Sequence, residues 1–209
     1  VGFAILRDWD FGAALAMTGQ QVMDTAASYS LSVVPLFILM GVFIHRSQIS
    51  EDLFTAANAA VGRMRGGLAQ AAVLACAGFS AVSGSSLATA ATMSKVAMPH
   101  MRRYGYDDRL SSGVIAAGGT LGIMIPPSVP LIIYGLIAQQ DIGKLFAAGI
   151  VPGLLLVLLF MGAVALTVRL RPELGPPGKG LPADERRRAY MRVWPVIVLF
   201  AVILGGLYW

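Results

Sequence analysis

Two long stretches of the chain carry no charged side chain: residues 66–94, 29 in all, and residues 110–140, 31 in all. As one helix the shorter of them would be about 43 Å long against a hydrocarbon core of about 30 Å, so neither fits as a single straight crossing. Each also holds its least helix-committed residues near its middle. In the first, Ser83, Gly84, Ser85 and Ser86 combine the backbone freedom of glycine with hydroxyls that compete for backbone partners. In the second, Gly118, Gly119, Thr120 and Gly122 precede Pro126, Pro127 and Ser128, and the two prolines lack a backbone donor. The pattern predicts a re-entrant helical hairpin over 67–98 with a polar tip at 83–86, and a broken transmembrane helix over 110–138 that unwinds across 118–128. Non-helical backbone at membrane depth is tolerated only inside protein or around a water-filled cavity, so both breaks are candidate binding elements.

The same alternation of apolar runs and polar punctuation organises the rest of the chain. Residues 1–6 read as the last turns of a helix cut short, and Arg7, Asp8, Trp9 and Asp10 as its exit, with Trp9 at the interface. Residues 11–24 form a loop or interfacial helix, and residues 26–44 a span that contains Pro35 and ends at His45 and Arg46. Ser50, Glu51 and Asp52 open a helix whose Leu53, Phe54, Ala57, Ala60 and Val61 fall on one side, which places it along the membrane surface. After Pro99, residues 100–109 read as an aqueous loop; residues 141–146 form a short polar connection, and 147–168 is the plainest span. Residues 169–192, with Pro172, Pro176, Pro177, Pro182 and three consecutive arginines at 186–188, read as a solvated basic loop before a further span from Val193. The expected division is therefore a scaffold with a surface arm helix over 1–66, a transport portion over 67–146, and further scaffold over 147–209.

Charge placement supports the hairpin independently. If residues 66–94 turn back, Arg63 and Arg65 share a side with Arg102, Arg103 and Arg109, and every strongly basic loop, including Arg169, Arg171 and Lys179, falls on the cytoplasmic face. A single crossing would strand one basic loop outside. Composition narrows the class further: 56% of residues are hydrophobic and 13% charged, with a mean hydropathy of +0.72, which describes an all-α polytopic membrane protein. The net charge of +5 lies in short loops between apolar runs, where it orients helices rather than gripping nucleic acid. The one cysteine, Cys76, sits in an apolar run and supports neither a disulfide framework nor a thiolate metal cluster. Val1 is no initiator and Trp209 ends inside an apolar run, so both termini are expected to be cuts through spanning helices.

The candidate chemistry is that of neutral oxygens. Ser83, Gly84, Ser85 and Ser86 on one side, and Gly119, Thr120 and Gly122 on the other, offer hydroxyls and carbonyls that suit a hard cation such as Na⁺. The plain alternative is that small residues merely let helices pack closely; two such clusters, each central in an overlong apolar run, favour a site. An intramembrane serine hydrolase using Ser85 or Ser86 needs a base within hydrogen-bond reach, yet His45 and His100 lie at membrane edges and Lys95 lies well beyond the tip. A noncatalytic scaffold subunit would need neither break. Asp107 and Asp108 read as a solvated helix start among arginines, and Met93, Met98 and Met124 as packing residues.

Several stretches also resemble a known family. PLFILMG at 35–41, the GGLAQA and SGSSLATAATM tract, MRRYGYD, GTLGIMIPPSVPLIIYG at 119–135 and LFAAGIVPGLLL are similar to the large membrane subunit of tripartite ATP-independent periplasmic (TRAP) transporters. The resemblance runs almost end to end, and the PPS tract joined to the glycine-rich break is its most specific part. It implies one inverted repeat of an elevator-type, Na⁺-coupled transporter for organic acids, with Na⁺ at Ser83, Ser85, Ser86, Gly119 and Gly122 and no enzymatic cofactor. It also implies a substrate cavity along Ser86, Thr89, Pro126, Pro127 and Ser128, a small membrane (Q) subunit, a periplasmic substrate-binding protein, and the bacterial inner membrane. Family members are about twice as long, so the chain is expected to hold the first repeat.

Overall fold

A computed structural model describes residues 11–26, 29–178 and 182–208. The expectations for residues 1–10, Lys179 and Trp209 lie outside them. Among the described residues the fold is all helical, with one isolated β-bridge, Arg65 to Pro177. The chain divides into two compact units, Val1–Phe37 and Ile38–Trp209. In the first, α1 (Phe11–Ala26) is a helix whose Leu15, Val22 and Met23 are exposed. The boundary falls within α2 (Tyr29–Arg46), which contains Pro35.

The second unit is built around α4 (Gly67–Ser83), whose Ala69, Ala72, Val73, Cys76 and Phe79 are fully buried. Against it pack α3 (Ile49–Val61), α5 (Ser86–Arg103), α6 (Asp108–Met124) and α8 (Ile142–Leu170). Small residues on α4 make this possible, because alanine and glycine let neighbouring backbones approach closely. Gly118 of α6 faces Cys76, and a Cβ there would stand 2.7 Å from the Cys76 Sγ. The outward faces of α8 leave Leu154, Leu158, Leu159 and Leu166 exposed. Such a surface on a 29-residue apolar helix belongs in a bilayer.

Residues 67–103 form a helical hairpin whose feet meet. Tyr106, which follows the second leg, is buried, and its Oη accepts the Leu68 N–H at 3.2 Å at the start of the first. Burial pushes the Tyr106 phenol above its ordinary pKa, against the smaller opposing effect of that backbone contact. The segment after α8 closes over the same place. A 3₁₀ turn, Pro172–Leu174, brings the Leu174 carbonyl to the Asp107 N–H (3.1 Å), Gly175 lies against Tyr106 and Gly66, and Pro177 pairs with Arg65.

Several boundaries differ from the sequence expectation. Pro99 does not end the second leg, which runs on to Arg103; one proline removes a single bond that a packed helix can spare. Residues 142–146 are the first turns of α8, capped by Asp141 Oδ1 accepting the Lys144 N–H at 2.8 Å, rather than a connection. Within the expected basic loop, α9 (Ala183–Arg192) is helical, packs on α3, and is followed by α10 (Trp194–Tyr208). The surface helix begins one residue before Ser50, at Ile49, and Leu53 and Phe54 are its buried face.

Candidate functional site

The hairpin tip is a two-residue reversal written by Ser-Gly-Ser. Gly84 adopts φ +59°, a left-handed conformation that glycine takes without cost, and its N–H closes α4 by donating to Ser80 O at 2.9 Å. Ser85 is extended and caps α5, its Oγ accepting from Ala88 N–H at 3.4 Å. Behind it, Thr89 is fully buried and serves as a hub. Its Oγ1 donates to Ser85 O at 2.8 Å and so must accept from Ser83 Oγ at 3.0 Å, while Ser80 Oγ lies 3.4 Å away.

The second break is shorter than expected. α6 runs unbroken to Met124, and only residues 125–128 are non-helical, including a cis Pro126–Pro127 bond, before α7 (Val129–Ala138) begins. The glycines at 118, 119 and 122 therefore do not unwind the helix. They form its contact face with the hairpin: a Cβ on Gly119 would meet Ala90, and one on Gly122 would stand 2.6–2.7 Å from the backbone of Ser85 and Ser86. Unwinding waits for the prolines because they alone remove backbone donors. Ser128 Oγ then satisfies a carbonyl freed at the helix end, donating to Ile123 O at 2.9 Å.

Tip and break are joined directly, since Val129 N–H donates to Gly84 O at 3.2 Å. The structure thus brings together Ser83, Gly84, Ser85, Ser86, Gly119 and Gly122. Thr120 is a correction: its side chain is exposed and its hydroxyl donates back to Ala117 O, because it falls on the outer face of α6. A cavity of about 620 Å³ opens at the junction, walled by Gly41, Ser83, Gly84, Ser86, Ile123 and Val129, among others. Of the residues expected around it, Ser86 is a wall. Thr89, Pro126, Pro127 and Ser128 are buried behind the surface, the first in the hydroxyl cluster and Pro126 against Gly149 of α8.

The electrostatics follow from which helix ends converge. The C-terminal ends of α4 and α6 arrive with partly negative carbonyls, and the first turns of α5 and α7, with partly positive N–H groups, line the cavity at residues 86–88 and 129–130. No cluster of three His, Cys, Asp or Glu occurs among the described residues. Hydroxyl and carbonyl oxygens of this kind suit a hard monovalent cation, and the two helix N-termini suit an anion. Sequence reasoning missed Ser80 and Gly41, although Ser80 stands one turn before Ser83 on the inner face of the hairpin, a spacing that signals a shared side.

Residues 4–209 match the sequence model of a family described as the tripartite ATP-independent periplasmic transporter, DctM component. The chain is 40% identical over 188 residues to a C4-dicarboxylate TRAP transporter large permease protein DctM of Pseudomonas aeruginosa, covering 90% of the chain and 44% of that protein. It is 36% identical over 203 residues to an isethionate TRAP transporter permease protein DctMQ of Oleidesulfovibrio alaskensis, with 95% and 30% covered. It is 34% identical over 190 residues to a sialic acid TRAP transporter permease protein SiaT of Haemophilus influenzae, with 90% and 30% covered. The chain thus spans less than half the length of these relatives.

Proposed function

Because the chain belongs to the DctM family of tripartite ATP-independent periplasmic transporter components, we propose that it supplies the first-repeat half of a Na⁺-coupled permease importing organic acids. The family is one of transporter parts rather than enzymes, which removes the hydrolase alternative. The observation that carries the proposal is the convergence at the cavity of two helix N-termini beside the carbonyl ends of α4 and α6. A carboxylate fits the former and a dehydrated cation the latter, with no charged side chain among the cavity walls. The relatives' names include dicarboxylate, sialic acid, isethionate and the zwitterion ectoine, which share an acid group and so support organic acids as the class.

In this reading the hairpin re-enters the membrane from the cytoplasmic side of a bacterial inner membrane, and it moves with α6 and α7 as an elevator against the arm and outer helices. Packing favours one change to the division expected at residue 147. Gly149 and Gly153 of α8 lie directly against the break, at Met124, Ile125 and Pro126, so in this reading α8 travels with α6 and α7. A small Q subunit and a periplasmic substrate-binding protein complete the machine; the relative named DctMQ supports the first of these.

Proteoliposomes holding the full-length permease and its partner components provide the test. Uptake from a panel of carboxylates and sugar acids should require an inward Na⁺ gradient; uptake that is equal with K⁺ in place of Na⁺ overturns the coupling. Topology is tested separately. Single cysteines at Arg65 and Arg102 should both react from the cytoplasmic side alone, and labelling from opposite sides would end the re-entrant assignment.

A further inference from the structure

A second concavity lies away from the hairpin tip, between α6 and α8. It is a groove of about 350 Å³, walled by Arg109, Gly113 and Ala117 of α6 and by Phe160, Ala163 and Thr167 of α8, with Val73 of α4 also contributing. From Arg109 to Ala117 it extends about 12 Å along α6, eight residues at helical rise. Residues 108–138, α6 together with α7, and α8 by itself are each long and apolar enough to cross a membrane, and Arg109 and Thr167 stand at the polar ends of these spans, on the same side of the fold. The walls are apolar except at that end, and no carboxylate is among them. Arg109 is exposed and makes no ion pair among the described residues; the nearby Asp107 instead uses its carboxylate to accept the Arg109 backbone N–H at 2.7 Å. Arg169 and Arg171, just past Thr167 in sequence, add positive charge to the same end.

We propose that this groove is a binding site for an anionic phospholipid, its phosphate at Arg109 and the upper part of one acyl chain between Gly113, Ala117 and Phe160. The chemistry of the walls selects the occupant. A soluble phosphate would leave the apolar depth unused, and a zwitterionic lipid would bring its own cation to Arg109. A protein helix, about 10 Å across, would enter a groove of this size only with single side chains, whereas one lipid supplies both the anion for Arg109 and the apolar chain for the walls. A cation at the cytoplasmic end of a span is also where anionic headgroups gather. A Cβ on Gly113 would meet nothing within 4 Å, so a long side chain at this wall position can fill the groove without displacing protein atoms. The inference depends on membrane embedding and not on Na⁺ coupling, so its outcome is separate from the transport tests.

Native mass spectrometry of the full-length permease assembly, released from nanodiscs of equal phosphatidylglycerol and phosphatidylcholine, decides it. The unmodified protein should retain phosphatidylglycerol in preference to phosphatidylcholine. Arg109→Gln should lower phosphatidylglycerol retention about fivefold, the effect of one interfacial cation, and leave phosphatidylcholine unchanged. Gly113→Leu should remove the retained lipid; leucine is a better helix former than glycine and points into open space, so the helix itself is not compromised. Equal retention of both lipids by the unmodified protein, or phosphatidylglycerol retention untouched by Arg109→Gln, overturns the proposal. So does a benzophenone on Gly113→Cys that crosslinks to polypeptide rather than to lipid.

Discussion

Replacing Gly122 with valine will abolish uptake by the complete permease assembly and lower its melting temperature. The new Cβ would stand 2.6–2.7 Å from the Ser85 carbonyl group and the Ser86 nitrogen, and these are backbone atoms that cannot rotate away. The tip must therefore shift, and the Val129 N–H bond to Gly84 O that joins tip to break shifts with it. Overpacking of this kind costs about 1–3 kcal/mol, roughly 2–12 °C in melting temperature for a cooperative unit the size of this chain and less for a larger assembly. Gly162→Ala is the control: its Cβ meets nothing within 4 Å, and alanine should stabilise α8 by about 0.5–1 kcal/mol. Normal uptake and an unchanged Na⁺ constant in a folded Gly122→Val protein would show that the close contact at the tip has no functional role.

Thr89→Val should weaken Na⁺ dependence and stability more than Ser85→Ala does. Valine keeps the shape of threonine but removes the donor to Ser85 O and the acceptor for Ser83 Oγ, and Ser83 is buried with Thr89 where no other hydroxyl among the described residues lies as close to it. Leaving a buried polar group unpaired costs about 1–3 kcal/mol. Ser85→Ala removes only a cap whose hydrogen bond is long, 3.4 Å, and the backbone carbonyl remains; caps of this kind contribute about 0.5–2 kcal/mol, and this one belongs at the lower end. The apparent Na⁺ constant for uptake should rise several-fold in Thr89→Val, alongside a drop in melting temperature. The reverse ranking of the two variants would mean that the cation contacts the Ser85 hydroxyl directly and that Thr89 is a packing residue.

The contrast between those residues shows what a sequence can carry. The tip was legible because Ser83, Gly84 and Ser85 act locally: a glycine that takes positive φ after the last residue of one helix and before the capping hydroxyl of the next leaves its mark on three adjacent positions. The spans were legible because charge-free length is a local property too. Gly118, Gly119 and Gly122 were misread as a loosening of α6, since glycine that unwinds a helix and glycine that admits a neighbour look alike until the neighbour is seen; here the neighbours are Cys76, Ala90 and Ser85. Thr89 was recognised as belonging near the site, but its place as hub depends on Ser80 and Ser83 reaching it around the reversal. Pro99 and Pro152 lie inside helices because the packing of those helices against α4 and α6 outweighs the single bond each removes.

The pairing of Arg65 with Pro177 ties the foot of the hairpin to residues synthesised much later. They are 112 positions apart (177 − 65), on the order of ten seconds of translation at about 5–20 residues per second. Once Tyr106 is made, the hairpin exists as nascent chain with its two legs and the Tyr106 contact to Leu68 available locally, while the segment that covers its feet lies 71 positions ahead (177 − 106). The base of the hairpin is therefore covered only when Gly175 and Pro177 emerge, which makes this stretch a late-made clasp rather than a trailing linker.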